Sequence, residues 1–227
     1  QAMSSLFSNL RRDLDFVLYD VMQVERLCAR PRFADHSREA FDSMLDAAAR
    51  LAREAFETHA ALVDQQEPTW DGEHVQLIPE VGKALDAFVA GGYLAAAFPE
   101  EDGGLGLPYA ISQAMMSIFY AANPSTAAYP LLTMGAANLL RVFGDDDQKR
   151  RFMAPMLTGR FFGTMCLSEP QAGSALSEVR CLAHPQPDGS YHLVGDKMWI
   201  SGGHHDLSAS IVHLVLARLP DTPAGVK

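Results

Sequence analysis

Only three cysteines, Cys28, Cys166 and Cys181, occur in 227 residues. The number is odd and the spacing fits no metal-ligand pattern, so the thiols read as reduced, in a cytoplasmic protein. Basic residues are also scarce, with 18 Lys and Arg against 28 Asp and Glu and a formal net charge of −10. That balance leaves no broad positive footprint for nucleic acid or an anionic membrane, while a local basic pocket for a phosphate stays open. No clean run of about twenty apolar residues exists to span a bilayer. Residues 103–140 carry no charge, but Pro108, Asn123, Pro124 and Asn138 interrupt them, so they read as buried helices. A secretory signal core is missing, and Arg11 and Arg12 alternate with Asp13 and Asp15, unlike an acid-poor transit peptide. Gln1 and Ala2 read as a cloning scar ahead of a natural Met3.

Two catalytic signatures are absent as well. No Gly-x-Ser-x-Gly elbow occurs, and the glycines at 103, 104 and 106 lack both the P-loop lysine and dinucleotide-binding spacing. They read as a turn before a helix. There is no internal repeat or low-complexity tract. With 48% apolar and 20% charged residues the composition is that of an ordinary globular protein.

What is present reads as helix over the first two-thirds. Leu6, Leu10, Leu14, Val17, Leu18 and Val21 recur at helical spacing behind Ser4 and Ser5 as caps. A second helix starts near Asp35 to Ser37 and buries Phe41, Leu45, Ala48, Leu51, Ala52, Ala55 and Phe56. Residues 65–74 and 99–108 read as loops. Between them Val81, Leu85, Phe88 and Val89 mark a helix ended by Gly91 and Gly92. Apolar helices are expected at about 109–122 and 125–142. Gly144, Asp145 and Gln148 then spell a helix stop and a capping box, with Phe152, Met153, Met156 and Leu157 inward and a kink at Pro155.

After Gly159 the period changes. "RFFGTMCL" is a compact apolar run, and two short strands flank Asp188-Gly189, a hairpin pair. "KMWIS" and "SIVHLVLAR" are two further strand candidates. The expected fold class is α+β. An extension helix occupies 1–34, an all-α domain 35–159 and the beginning of a β-barrel-like middle domain 160–227. An open sheet is a poor stopping point, so the chain reads as the front of a longer protein.

Few residues point to chemistry singly. His204, His205 and Asp206 read as a solvated polar turn rather than a metal site, since strand neighbours face opposite ways and no third ligand lies near. Glu169, where an apolar strand ends, reads as a carboxylate that caps backbone N–H groups or pairs with a base. Trp199 alone reads as core, and Ser168, Ser174 and Ser201 are unremarkable. Together, two strand ends that each carry a hydroxyl before a turn can place donors and an aromatic plane around a flat polar ring.

The stretches "DDDQKRRFMAPMLTGRFFGTMCLSEPQAGSA" and "DGSYHLVGDKMWISGG", with "FPEEDGGLGLP" upstream, closely resemble the acyl-CoA dehydrogenase family over roughly residues 36–218. The two-part signature pairs Ser/Thr-Glu-Pro-x-Ala-Gly-Ser with Gly-x-Lys-x-Trp-Ile-Ser/Thr. The opening helix and the segment from His204 to Lys227 are similar to a longer subgroup that includes enzymes resembling 3-methylmercaptopropionyl-CoA dehydrogenase.

The resemblance implies FAD as cofactor and removal of hydrogens from the α and β carbons of an acyl-CoA thioester. A carboxylate takes the α proton and hydride passes to flavin N5. It implies an electron-transfer flavoprotein as acceptor, a homo-oligomer (dimer or tetramer), and a C-terminal helical bundle absent from this chain. Carried over by position, Met165, Leu167 and Ser168 line the flavin, the Ser168 hydroxyl on its pyrimidine side. Ser174 reaches the pyrophosphate, Trp199 and Ile200 pack by the isoalloxazine, and Ser201 lies near N5. Ser168 and Ser201 stand where Thr is common, and Ala175 where Asp is usual. No catalytic residue is assigned within the chain: the base Glu is expected downstream, which makes these residues alone inactive. A flavin-dependent oxidase of the same fold and a non-enzymatic helical interaction module remain alternatives.

Overall fold

The computed structural model describes residues 2–222, with side chains from Asn9 onward. Residue 1 and residues 223–227 lie outside what is described, as does the side chain of Leu6. Helix α1 (Ala2–Asp15) runs into a π turn at Phe16–Val21. Because α1 begins at Ala2, Ser4 and Ser5 lie inside its first turns rather than ahead of them. Leu10, Leu14 and Leu18 face the core as expected. The wider π turn then rotates the stripe away, leaving Val17 and Val21 exposed at 44% and 62%.

This extension is clamped to helix α2 (Arg38–Leu51). The Arg11 guanidinium donates to Asp42 at 2.8 Å and also pairs with Asp46, and the Tyr19 hydroxyl donates to Asp42 at 2.8 Å. Arg38 lies 3.9 Å from the centroid of the Tyr19 ring. Ser37 caps α2, accepting from the Ala40 N–H at 3.2 Å, and Phe41, Leu45 and Ala48 are buried along its inner face.

Helix α2 continues through a π turn (Ala52–Phe56) and a short 3-10 turn into α3 (Ala60–Gln65). Residues 65–74 are not a bare loop. Strands β1 (Thr69–Trp70) and β2 (Val75–Gln76) form a small antiparallel ribbon around Asp71, which accepts from the N–H groups of Glu73 and His74 and from Gln76. Helix α4 (Pro79–Ala90) ends at Gly91 and at Gly92, which has φ of 76°. Helices α5 (Tyr109–Ala122) and α6 (Pro124–Phe143) follow, close to their expected spans. The helical core centres on Phe119, whose ring lies 4.8–5.0 Å from those of Phe56, Phe88 and Tyr93. Such tilted and edge-on pairs add about 0.5–1.5 kcal/mol each beyond area burial.

Asn123 joins α6 to the irregular end of α2. Its amide donates to the Phe56 carbonyl at 3.1 Å and its oxygen accepts from the Thr126 N–H at 3.2 Å. The buried His59 ring meets the Thr126 hydroxyl at 2.8 Å. Beyond Gly144 the expected capping box forms, with Gln148 N–H donating to Asp145 at 2.7 Å and the Gln148 side chain accepting in return at 3.0 Å. Helix α7 (Asp146–Gln148), a π turn and α8 (Ala154–Leu157) complete the helical part, and Pro155 stands where the regular helix restarts.

Strand β3 (Phe161–Cys166) lies against α6, and Gly163 makes the approach possible. A Cβ there would sit 2.6 Å from that of Ala136, and the Gly163 N–H donates to the Thr133 hydroxyl at 3.1 Å. Strands β4 (Leu182–Pro185) and β5 (Tyr191–Val194) form the expected hairpin, its tip relaxed by Gly189 at φ 83°. Strand β6 (Ser210–Val215) pairs with β3 in parallel, from Phe161 opposite Ser210 to Cys166 opposite Val215. Past its end, Leu216 N–H donates to Cys166 O at 3.1 Å and Arg218 N–H to Cys181 O at 2.8 Å, so this chain runs between β3 and β4. The class is therefore mixed helix and strand, as expected, and the strands described form no closed barrel. "KMWIS" is not a strand: residues 197–201 make an irregular connection into a turn.

Candidate functional site

The site forms where β3 runs out. Alternation along β3 leaves Met165 and Leu167 half-buried, with Thr164 and Cys166 buried between and beside them. The chain then reverses at Glu169, whose N–H donates to the Ala172 carbonyl at 2.8 Å and whose carbonyl accepts from the Ala172 N–H at 3.0 Å. The second stretch joins the first through the backbone: Met198 N–H donates to the Ser168 carbonyl at 3.0 Å. The structure thus brings Ser168 next to the segment that carries Trp199, Ile200 and Ser201.

Glu169 organises this junction. It is 4% exposed and accepts from Arg180 N–H at 2.7 Å, Cys181 N–H at 2.9 Å, the Gln171 amide at 2.6 Å and Lys197 Nζ at 2.8 Å. Burial alone would raise its pKa, but the Lys197 ammonium and the two backbone N–H groups outweigh that and hold it down at about 2. This matches the capping and pairing role expected of the carboxylate. Lys197 makes a second bond, to the Leu167 carbonyl at 3.0 Å.

Trp199 is not core. It is 84% exposed, on a turn where its own φ is 60°. A bulky residue in the left-handed region costs on the order of 1–3 kcal/mol, and such strain clusters where a side chain must be aimed. Ile200 turns inward, lining a cleft of about 310 Å³ with Cys166, Cys181, Lys197 and His213. Ser201 and Gly202 open onto another cleft, about 420 Å³, walled by Leu77, Val81, Tyr129 and Leu132. Ser174 sits exposed on the turn before a short 3-10 segment (Leu176–Glu178). Among the described residues, no hydrogen bond engages the hydroxyls of Ser168, Ser174 or Ser201, and none ties Ser174 to the 197–201 segment.

The polar turn after it differs in part from expectation. His204 and Asp206 are exposed, but His205 is 6% exposed, its ring edge-on to Tyr129 at 5.2 Å and Phe162 at 5.6 Å. Desolvation lowers its pKa to about 4, so it is neutral at pH 7. The ring accepts from the Leu207 N–H at 3.2 Å. His204 packs on Trp70 of the β1–β2 ribbon at 5.4 Å, and His74 of that ribbon lies 3.5 Å from the Asp206 carboxylate. No group of three or more His, Cys, Asp or Glu side chains among the described residues could hold a metal ion. No helix among them is long and apolar enough to cross a membrane.

Sequence reasoning missed Lys197 and His205. A lysine between a Gly-Asp pair and an aromatic has no local reason to be buried, and only the return of the chain to Glu169 reveals its partner. For His205, "HHD" hides a single inward ring between two solvated neighbours.

Leu167, Ser168 and the exposed Trp199 thus border one backbone junction, while Ser201 opens onto a separate cleft. The family described as acyl-CoA dehydrogenase, N-terminal domain, matches residues 38–160. 3-Methylmercaptopropionyl-CoA dehydrogenase of Ruegeria pomeroyi is 38% identical, over 95% of this chain and 37% of that protein. The broad-specificity linear acyl-CoA dehydrogenase FadE5 of Mycobacterium tuberculosis is 33% identical, over 99% of this chain and 37% of that one. The crystal structure of an acyl-CoA dehydrogenase complexed with FAD from Bacillus anthracis superposes with a TM-score of 0.66 at 23% identity, covering 82% of this chain and 29% of that one. The chain therefore spans little more than a third of the length of these curated relatives.

Proposed function

The chain belongs to the acyl-CoA dehydrogenase family, and from that premise we propose that it supplies the helical domain and one flavin wall of an FAD-dependent α,β-dehydrogenase of acyl-CoA thioesters. The observation that carries this reading is the junction of the two signature stretches, Met198 N–H on the Ser168 carbonyl with Lys197 on Glu169. The division into an extension at 1–34, a helical domain at 35–159 and a partial β domain at 160–227 is part of the proposal.

When bound, FAD supplies the redox chemistry by accepting the substrate's β hydrogen as hydride at N5. The protein's own groups bind and orient. Met165 and Leu167 would give an apolar rest, and Trp199, held outward by its left-handed backbone, would pack against the ring system, with Ile200 beside it in the chain. The Ser168 and Ser201 hydroxyls would donate to the polar edges of the ring, and donors there would stabilise negative charge that builds up on it. Ser174 is assigned to the pyrophosphate. No residue here is assigned the α proton; that carboxylate base is a Glu from outside these residues. Acyl-CoA is the substrate, electron-transfer flavoprotein the acceptor, and the whole enzyme a cytoplasmic homo-oligomer.

One wall of a pocket holds a cofactor poorly. The 227 residues alone are therefore expected to bind FAD weakly or not at all and to show no turnover. The full-length protein is expected to purify with flavin and to bleach on anaerobic addition of an acyl-CoA. Stoichiometric yellow flavin and acyl-CoA-dependent dye reduction by residues 1–227 would overturn the first expectation. A colourless full-length protein that takes up no FAD would overturn the second.

A further inference from the structure

We propose that Lys197 and Glu169 are positioning residues that set the separation of the two flavin-facing turns, at 167–168 and 199–201, and through it the affinity and electronic surroundings of the flavin. The inference rests on the flavin reading above. Neither side chain is assigned a contact with the ring.

Three separate segments converge on the Glu169 carboxylate. Its Oε1 accepts from Cys181 N–H and Lys197 Nζ, and its Oε2 from Arg180 N–H and the Gln171 amide. The pair is deeply placed, with side-chain exposures of 11% for Lys197 and 3% for Glu169. A buried pair of this kind is weak evidence for stability, because apolar residues of equal volume fill such a space at similar or better free energy. What an apolar filling cannot do is fix directions. A carboxylate with four occupied acceptor sites and an ammonium with two aimed bonds hold the segments at one distance and one rotation.

The carbonyl bonds show where that rotation matters. Lys197 Nζ holds the Leu167 carbonyl at 3.0 Å, and the next residue's N–H, on Met198, holds the Ser168 carbonyl at 3.0 Å. Both peptide planes beside the Leu167 and Ser168 side chains are thus fixed from a segment whose next residues are Trp199 and Ile200. The ion pair also leaves the junction without net charge, so losing either partner leaves one buried charge close to where the ring is proposed to lie.

The test uses the full-length protein and free FAD, with Lys197→Met, Glu169→Gln and the double variant. Apoprotein titration gives the FAD Kd, and the visible spectrum and reduction potential report the ring's surroundings. Each single variant is expected to weaken FAD at least about tenfold, or 1.4 kcal/mol, and to shift the visible band and the potential. The double variant is expected to fall well short of the sum of the singles, as coupled partners do. A pair that only stabilises the fold gives a lower Tm with unchanged Kd, spectrum and potential in the folded fraction, and that result overturns the proposal. If Lys197→Met does not fold, Lys197→Arg keeps the charge in a longer side chain; a displaced flavin band supports the role, and a wild-type band with wild-type affinity overturns it. A wild-type protein without FAD affinity overturns the flavin reading itself, whereas a flavin-bound wild type with indifferent variants overturns the positioning role alone.

Discussion

Gly163 of β3 faces Ala136 of α6 so closely that a Cβ on the glycine would lie 2.6 Å from that of the alanine. Helix and strand therefore share one packed seam, in which Met156 and Leu214 also take part. The strand that delivers Leu167 and Ser168 is thus registered against the helical part rather than hanging from it.

Gly163→Ala is expected to destabilise the protein by about 1–3 kcal/mol, the usual cost of forcing a methyl into a filled core. Denaturant unfolding followed by tryptophan fluorescence reads the change. Ala136→Gly in the same chain should recover part of the loss, and an additive pair would show that the two positions do not meet.

Phe119→Ala removes the ring at the centre of the aromatic nest and is expected to cost about 3–5 kcal/mol. Thermal unfolding monitored by far-ultraviolet circular dichroism is the measurement. A loss under about 1 kcal/mol would mean that the nest collapses onto the gap or was not packed.

His205 ties stability to pH. Its folded pKa, about 4, lies below the usual 6.5, so the unfolded chain binds the proton more readily. The groups about it are the rings of Tyr129 and Phe162, the Asp206 carboxylate, and His204 and His213. Its contribution is whole above pH 6.5 and is lost as pH falls toward 4. His205→Phe should flatten that part of the profile, and an imidazole resonance titrating near 6.5 would contradict the burial.

Glu169 acts lower on the scale. Its folded pKa of about 2 is below the ordinary 4.5, so its contribution is complete above pH 4.5 and is lost as pH drops toward 2. Removing one partner of a buried pair costs about 3–5 kcal/mol, so Glu169→Gln is expected to lower Tm at pH 7 and to remove this acid limb. Parallel melts from pH 7 to 3 of both proteins decide it: equal acid sensitivity would assign the limb to other carboxylates.

Much of this was legible locally. Phe41, Leu45 and Ala48 mark the buried face of α2, Asp145 and Gln148 spell their capping box, and Asp188-Gly189 marks its hairpin, because each signal lies within a few residues. The ribbon at Asp71-Gly72 carries the same dipeptide but gives no strand pattern around it, since its strands are only two residues long. "KMWIS" misled in the opposite sense. Trp and Ile favour strands, but among the described residues no strand pairs with this segment, and Trp199 turns into the left-handed region. The burial of His205 and the Lys197 bonds depend on segments distant in sequence, and no local pattern encodes them.

The parallel pairing of β3 with β6 has a topological consequence. Everything between them, from Leu167 to Ala209, is a single crossover that leaves one end of the ladder, at Cys166, and returns to the other, where Ala209 N–H donates to the Arg160 carbonyl. A cut or a short insert at the exposed tip around Asp188 therefore leaves one arm anchored through β3 and the other through β6. The Glu169–Lys197 clasp lies between that tip and the moorings, with one partner on each arm. A chain severed there should stay associated as two pieces, which marks the tip as a place to attach a probe without loosening the wall beneath.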